Sequence, residues 1–277
     1  MAPTLDVAVI GCGVMGARHA ACVARDPDVR LFTVDIHPER ARALAAAHGG
    51  SPVTSPPASV AAAIVATPTS THAEVAAPLL ARGLWCLVEK PLAATAASAR
   101  GLFGPRCVVG QVERFNPAVR AAGDLHPREV EAIRTAPPAG RGLDVHVALD
   151  LLIHDLDLVL GWAPDDARWV VDRAEGDVDQ LCATIHCATL TATFRCSRVA
   201  DRRERVVSCR GEDGITTLDL AAGRAWRGGI ELARDGGPDA LTCQWRAVRA
   251  QIAADEPAND RGAAAVELAE RIVARIG

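Results

Sequence analysis

The stretch "VAVIGCGVMGARHA", Val7 to Ala20, decides the fold. Its first four residues are apolar without a polar break, the mark of a strand buried on both faces. Gly11-x-Gly13-x-x-Gly16 then follows the strand and opens a helix, the setting in which this spacing carries a mechanism. Gly11 serves the tight turn, Gly13 lets a pyrophosphate approach the backbone, and Gly16 lets helix and strand close up. The first helical turn, with Val14 and Met15, presents its free N–H groups and the positive end of the helix dipole to the phosphates.

Outward from this stretch, apolar runs at 5–10, 30–34, 61–66, 84–88 and 107–112 alternate with alanine-rich helical segments. That alternation predicts βαβ units and a doubly wound parallel sheet. A short further strand is expected around Pro52–Thr54, inside the loop-like "HGGSPVTSPPAS". Asp35 closes the second strand about 20 residues past the glycines, where a carboxylate binds adenosine ribose hydroxyls and repels a 2′-phosphate. With Ile36 beside it, this favours NAD, while His37 and Arg40 leave NADP as the alternative. A bland role for Asp35 is to cap the helix that starts near Pro38.

Thr67, Pro68, Thr69 and His72 stand at the carboxyl end of the fourth strand, where doubly wound sheets bind ligands. "WCLVEKPL" (85–92) ends the fifth strand with Glu89, Lys90 and Pro91, and Glu89 and Lys90 are expected beside the bound dinucleotide. A cation there can hold a substrate oxygen and stabilise developing negative charge. A cis Lys90–Pro91 bond is expected to aim it. Read alone, "EKP" is a surface ion pair and His72 a local hydrogen-bonding group.

Past about residue 115 the pattern changes to one apolar helix near 149–161 and strand-like runs at 168–174, 180–187, 190–198, 204–210 and 215–220. Short turns between sequential strands predict an antiparallel sheet. Residues 134–143, rich in Pro and Gly, read as a connection, and 241–253 and 263–276 recover helical periodicity. The expected domains are 1–114 and 115–277, the second α+β with a mainly antiparallel open sheet. Leu, Ile, Cys and Thr are expected on both of its faces.

In "DLLIHDLDLVL" (150–160), Asp150, His154 and Asp157 lie at i, i+4 and i+7, on one face of an otherwise apolar helix. His154 can exchange a proton near neutral pH while a carboxylate orients its ring. The competing reading is Asp150 as an N-cap and His154 as a satisfied core histidine.

Composition excludes other classes. Of 277 residues 49% are hydrophobic, and a net charge of -4 offers no basic footprint for nucleic acid or anionic membrane. Nine cysteines without a CxxC pair, and histidines without metal spacing, point to neither a disulfide framework nor a metal site. A soluble cytoplasmic protein is expected.

Together, "VIGCGVMGARHA", "VATPTSTHAEVA", "VEKPLA", "VGQVERFNPAV" and "DLLIHDLDLVL" occur in the order found in the Gfo/Idh/MocA oxidoreductases, which the chain resembles over nearly its whole length. The resemblance implies an N-terminal Rossmann domain for NAD(H) or NADP(H) and a C-terminal domain whose sheet assembles homodimers or homotetramers. It implies that Lys90 binds the reacting oxygen, that Asp150 and His154 supply orientation and proton transfer, and that Arg114, Asn116 and Asp157 line the substrate side. "VERFNPAV" with the later helix is most similar to the branch that oxidises the 3-hydroxyl of UDP-N-acetylglucosamine. A connection from Asn116 to Asp150 that looks trimmed leaves a smaller polyol, an amino sugar or a tailoring step open. An imine or ketone reductase and a dinucleotide-sensing regulator are the alternatives; a sensor needs neither Lys90 nor His154.

Overall fold

The computed structural model describes residues 5–138, 145–258 and 260–276. The chain divides into two compact units, one of residues 1–110 with 241–263, the other of 111–240 with 264–277.

In the first unit, β1 (Leu5–Ile10), α1 (Val14–Val23), β2 (Val29–Val34), α2 (Pro38–His48), β3 (Ser51–Pro52), β4 (Ala62–Val65), α3 (His72–Ala81), β5 (Trp85–Glu89), α4 (Ala96–Leu102) and β6 (Cys107–Gly110) follow one another. The strands form a six-stranded parallel sheet in the order β3-β2-β1-β4-β5-β6. Every residue of β4, β5 and β6 is buried, as a sheet covered on both faces requires. The order reverses beside β1, so the carboxyl ends of β1 and β4 flank the switch point where such sheets bind ligands.

The second unit contains α5 (Pro117–Ala122), β7 (Glu129–Thr135), α6 (Ile153–Trp162), β8 (Val170–Gly176), β9 (Gln180–His186), β10 (Thr191–Ser197), β11 (Glu204–Gly211), β12 (Gly214–Asp219), β13 (Arg224–Arg227) and β14 (Ile230–Glu231). Helices α7 (Ala240–Ala254) and α8 (Gly262–Ile276) close the chain. Its eight-stranded sheet runs β14-β13-β12-β11-β7-β10-β9-β8, antiparallel except between β7 and β10. The expected α/β and α+β architecture is therefore present.

Three expectations change. The connection read over 134–143 begins inside β7, because "EVEAIRT" alternates exposed and buried residues; its positions 139–143 lie outside the described residues. The sheet does carry Ile133, Cys182 and Thr193 on its outward face, but the charged Arg195 stands between them. Ala192, Phe194 and Cys196 of β10 are buried, while Thr191, Thr193 and Arg195 face outward. Finally, 241–263 groups with the first unit: Trp245 and Val248 of α7 join the core of Val7, Val9, Leu31, Ile64 and Leu87. The Asp260 carboxylate then accepts the Val109 N–H at 3.0 Å, satisfying a donor on the edge strand β6.

Candidate active site

The glycine loop is built as its spacing requires. Gly11 has φ +93°, and a Cβ there would lie 2.6 Å from the Ala66 carbonyl oxygen. A Cβ on Gly16 would meet the Gly11 oxygen at 1.8 Å, so α1 seats directly on the loop. Gly13 differs: nothing lies within 4 Å of its would-be Cβ. That open space sits at the start of α1, which no side chain caps, and Val14 is 63% exposed beside it while Met15 is half-buried. An anion can approach the backbone there.

Asp35 turns its carboxylate to the same loop. Oδ2 accepts the Cys12 N–H at 2.7 Å and Oδ1 the His37 N–H at 2.8 Å. The helix-cap reading fails, because His37 is the N-cap of α2 and no side chain caps it. Burial and the Asp35 charge push the Cys12 thiol up to about 11, which keeps it protonated and unreactive near neutrality. Ile36 is 92% exposed. An open cradle over Gly13, an acid fixed beside it and an exposed apolar side chain fit a dinucleotide.

At the end of β4, Thr67, Pro68 and Thr69 enter a 3₁₀ turn, Thr69–Thr71. Thr71 Oγ1, at the end of that turn, donates to the Pro68 carbonyl at 2.8 Å and lies 2.9 Å from the Thr67 hydroxyl. His72 is corrected: it is wholly buried, with Nδ1 2.9 Å from the Pro91 oxygen and Nε2 2.9 Å from the Thr67 oxygen, so its ring is not a cofactor contact. Glu89 is corrected for the same reason. Its buried carboxylate lies 2.6 Å from His19 Nε2 and accepts the Lys90 N–H at 3.2 Å. Lys90 is half-buried, and its bond to Pro91 is cis as expected.

In the second unit, Ala148–Leu152 forms a π-helical turn before α6, a widening frequent at functional sites. It carries Asp150; Asp150 and His154 are half-buried. The chain entering this turn is fixed, since Arg198 Nη1 donates to the Val145 oxygen at 2.8 Å and His146 Nδ1 accepts the Ala148 N–H at 3.1 Å. Burial, with Arg198 nearby, lowers the His146 pKa and keeps Nδ1 an acceptor.

Two substrate-side expectations are corrected. Asp157 is buried and takes a bidentate bond from Arg114, Nε to Oδ2 at 2.7 Å and Nη2 to Oδ1 at 2.5 Å. It therefore orients Arg114, which keeps some exposure. Asn116 is buried: its Nδ2 donates to Glu113 and to the Leu220 oxygen, and its Oδ1 caps α5 through the Ala118 N–H at 3.0 Å. Asn before Pro at a helix start was the signal for that cap.

A cluster with no motif lies behind these residues. Arg134 of β7, 1% exposed, binds Asp155 of α6 through Nε and Nη2 (2.9 and 2.8 Å) and Glu113 through Nη1 at 3.0 Å. Burial would pull the Arg134 pKa down, but the two carboxylates outweigh it and hold the guanidinium charged. Asp155 directly follows His154, so the pairing pins α6 at that point. Among the described residues no group of His, Cys, Asp and Glu could hold a metal ion, and no helix is long and apolar enough to cross a membrane.

Residues 5–103 match the oxidoreductase family with an NAD-binding Rossmann fold, Gfo/Idh/MocA. The chain is 34% identical over 230 residues to a UDP-N-acetylglucosamine 3-dehydrogenase of Acidithiobacillus ferrooxidans, covering 76% of this chain and 73% of the relative. The solved structure of that enzyme superposes with a TM-score of 0.84 over 99% of this chain and 98% of its own. An inositol 2-dehydrogenase of Rhizobium meliloti is 30% identical over 203 residues, 63% of this chain and 62% of the relative. GenD2 from gentamicin A biosynthesis, solved with NAD, is 25% identical with a TM-score of 0.81 over 100% of this chain and 95% of its own. With 34% identity across more than two thirds of the UDP-N-acetylglucosamine 3-dehydrogenase, and a loop that fits a dinucleotide, the chain belongs to the Gfo/Idh/MocA oxidoreductases, enzymes that move a hydride between a nicotinamide cofactor and a carbinol or ketone.

Proposed function

We propose that the chain is an NAD-dependent dehydrogenase acting on the 3-hydroxyl of a nucleotide-linked N-acetylhexosamine. The observation that carries this reading is the 34% identity to an enzyme named for that reaction. The dinucleotide would lie along Gly11, Gly13, Val14, Met15, Gly16, Asp35 and Ile36, with Thr67, Pro68 and Thr69 at the next strand end. When bound, its nicotinamide supplies the hydride acceptor or donor.

The protein's own part concerns one oxygen and one proton. The Lys90 ammonium binds the substrate hydroxyl and stabilises it as it becomes an alkoxide. His154 takes the hydroxyl proton, and Asp150 orients the imidazole. Arg114, held by Asp157, offers a guanidinium to the polar substrate. In the reverse direction the same groups reduce a ketone, with His154 as acid.

The test is NADH formation monitored at saturating NAD with UDP-N-acetylglucosamine, UDP-N-acetylgalactosamine and free inositols. Turnover with a UDP-N-acetylhexosamine, yielding the 3-keto product by mass spectrometry, is expected. Turnover with inositols alone would overturn the substrate assignment. Light scattering is expected to report a homodimer or homotetramer; a strict monomer at micromolar concentration would remove that part of the reading.

A further inference from the structure

Lys90 is the only lysine in the chain, although Lys and Arg together number 30. A sequence that uses arginine at every other such position retains an ammonium here. The two cations differ physically: lysine is a compact point charge on a flexible four-carbon stem, whereas arginine is a planar fork. A flexible stem aims well only if the backbone beneath it is fixed.

That backbone is held from both sides. On one side His19 of α1, 1% exposed, contacts Glu89 Oε1 at 2.6 Å, and the same carboxylate accepts the Lys90 N–H. On the other side His72 of α3, 0% exposed, bridges the Pro91 carbonyl and the Thr67 carbonyl, both at 2.9 Å. Buried polar groups are costly without partners, and here His19 Nε2 meets the Glu89 carboxylate and His72 Nδ1 the Pro91 carbonyl, the residues on either side of Lys90. Gly110 completes the fit, since a Cβ there would press within 3.1 Å of Glu89 Cα and 3.2 Å of its carboxylate.

We propose that His19 and His72 are positioning residues for Lys90, His19 acting through Glu89 and His72 through the Pro91 carbonyl. The proposal rests on the reading of Lys90 as the group that binds the reacting oxygen, and it deepens that reading. Neither histidine touches substrate. Each fixes a peptide group next to the lysine, one from the first helix and one from the third.

A single lysine makes the test direct. Trace acetylation with acetic anhydride at fixed pH, followed by peptide mass spectrometry, reports the reactivity of that ε-amine without needing any substrate. His19→Leu and His72→Leu are expected to change the Lys90 acetylation rate at least about threefold and to lower kcat about tenfold. The KM for NAD should stay near that of the parent. His19→Gln, which retains an N–H donor toward Glu89, should recover part of both. Gly110→Ala, which crowds Glu89 and leaves both histidines intact, provides the same readout should a leucine variant fail to fold. Unchanged acetylation in the variants that fold, as judged by circular dichroism, would overturn the clamp whatever Lys90 does. Full turnover in Lys90→Ala would overturn the catalytic reading and leave the acetylation result standing.

Discussion

The two units fix their functional side chains by different means. In the first, Asp35 is held by the Cys12 and His37 N–H groups, and the Lys90 turn by histidine contacts to carbonyl oxygens and a carboxylate on a peptide N–H. In the second, the helix of His154 is held by ion pairs between side chains, Arg134 with Asp155 and Glu113, and Arg114 with Asp157. Around the Lys90 turn the contacts to carbonyl oxygens involve no carboxylate, and one buried side-chain pair, His19 with Glu89, stands beside them. The second unit gathers three buried charges in one cluster, where removing one partner strands the others in a low-dielectric interior.

The largest expected effect is therefore on stability and in the second unit. Arg134→Met leaves Asp155 and Glu113 buried near each other without their shared cation, and should cost about 3–5 kcal/mol in urea unfolding. Removing both partners with the triple change Arg134→Met, Asp155→Leu, Glu113→Gln should restore part of that loss, since the buried carboxylates go with the buried cation and only Arg205, 3.6 Å from Glu113, then loses a partner. His72→Gln in the first unit should cost less than Arg134→Met. A histidine variant as destabilised as Arg134→Met would break the comparison.

Next in size are the kinetic effects. Lys90→Arg keeps the charge but changes its shape and reach, and should lower kcat/KM by roughly 10²-fold, with the unfolding midpoint nearly unchanged. His154→Ala should lower kcat by roughly 10²–10⁴-fold and leave NAD affinity nearly intact. A Lys90→Arg enzyme with full kcat/KM would mean that any cation suffices at the turn, and the reason for a lone lysine would disappear.

The difference between the units also explains what was legible in the sequence. The glycine loop, Asp35 and the Lys90 turn are local motifs, and each was found where a strand meets a helix or turn, because backbone geometry is written in neighbouring residues. The ion-pair cluster joins Glu113, Arg134 and Asp155, which share no spacing rule; only a charged residue inside the alternating "EVEAIRT" hinted that Arg134 was buried. Helix α7 shows the same limit. Its amphipathic pattern declared a buried face, but nothing local to it named the core of Val7, Leu31 and Leu87 as the surface it covers. The family resemblance places Asn116 on the substrate side, and a position at a strand's carboxyl end places His72 at the ligand crevice. Each instead turns to the main chain beside it, Asn116 capping the start of α5 and His72 lying between the Thr67 and Pro91 carbonyls.

The smallest predicted effect sharpens the main-chain side of the comparison. Both Asp35 oxygens accept backbone N–H groups, so its charge is fixed in place beside the glycine loop. A carboxylate fixed there favours ribose hydroxyls and opposes a 2′-phosphate. Asp35→Ser removes the charge while retaining a hydroxyl that can accept one of the two N–H groups. NADH affinity should fall and NADPH affinity should rise, narrowing their ratio about tenfold, roughly 1.4 kcal/mol. The unfolding midpoint should move little, since the loop retains Gly11 and Gly16 and one of the two hydrogen bonds. Fluorescence titration of each reduced cofactor against the parent and the variant measures both affinities directly. An unmodified protein that binds NADPH as tightly as NADH would show that the fixed carboxylate does not choose the cofactor, and would move that choice to the exposed His37 and Arg40 beyond it.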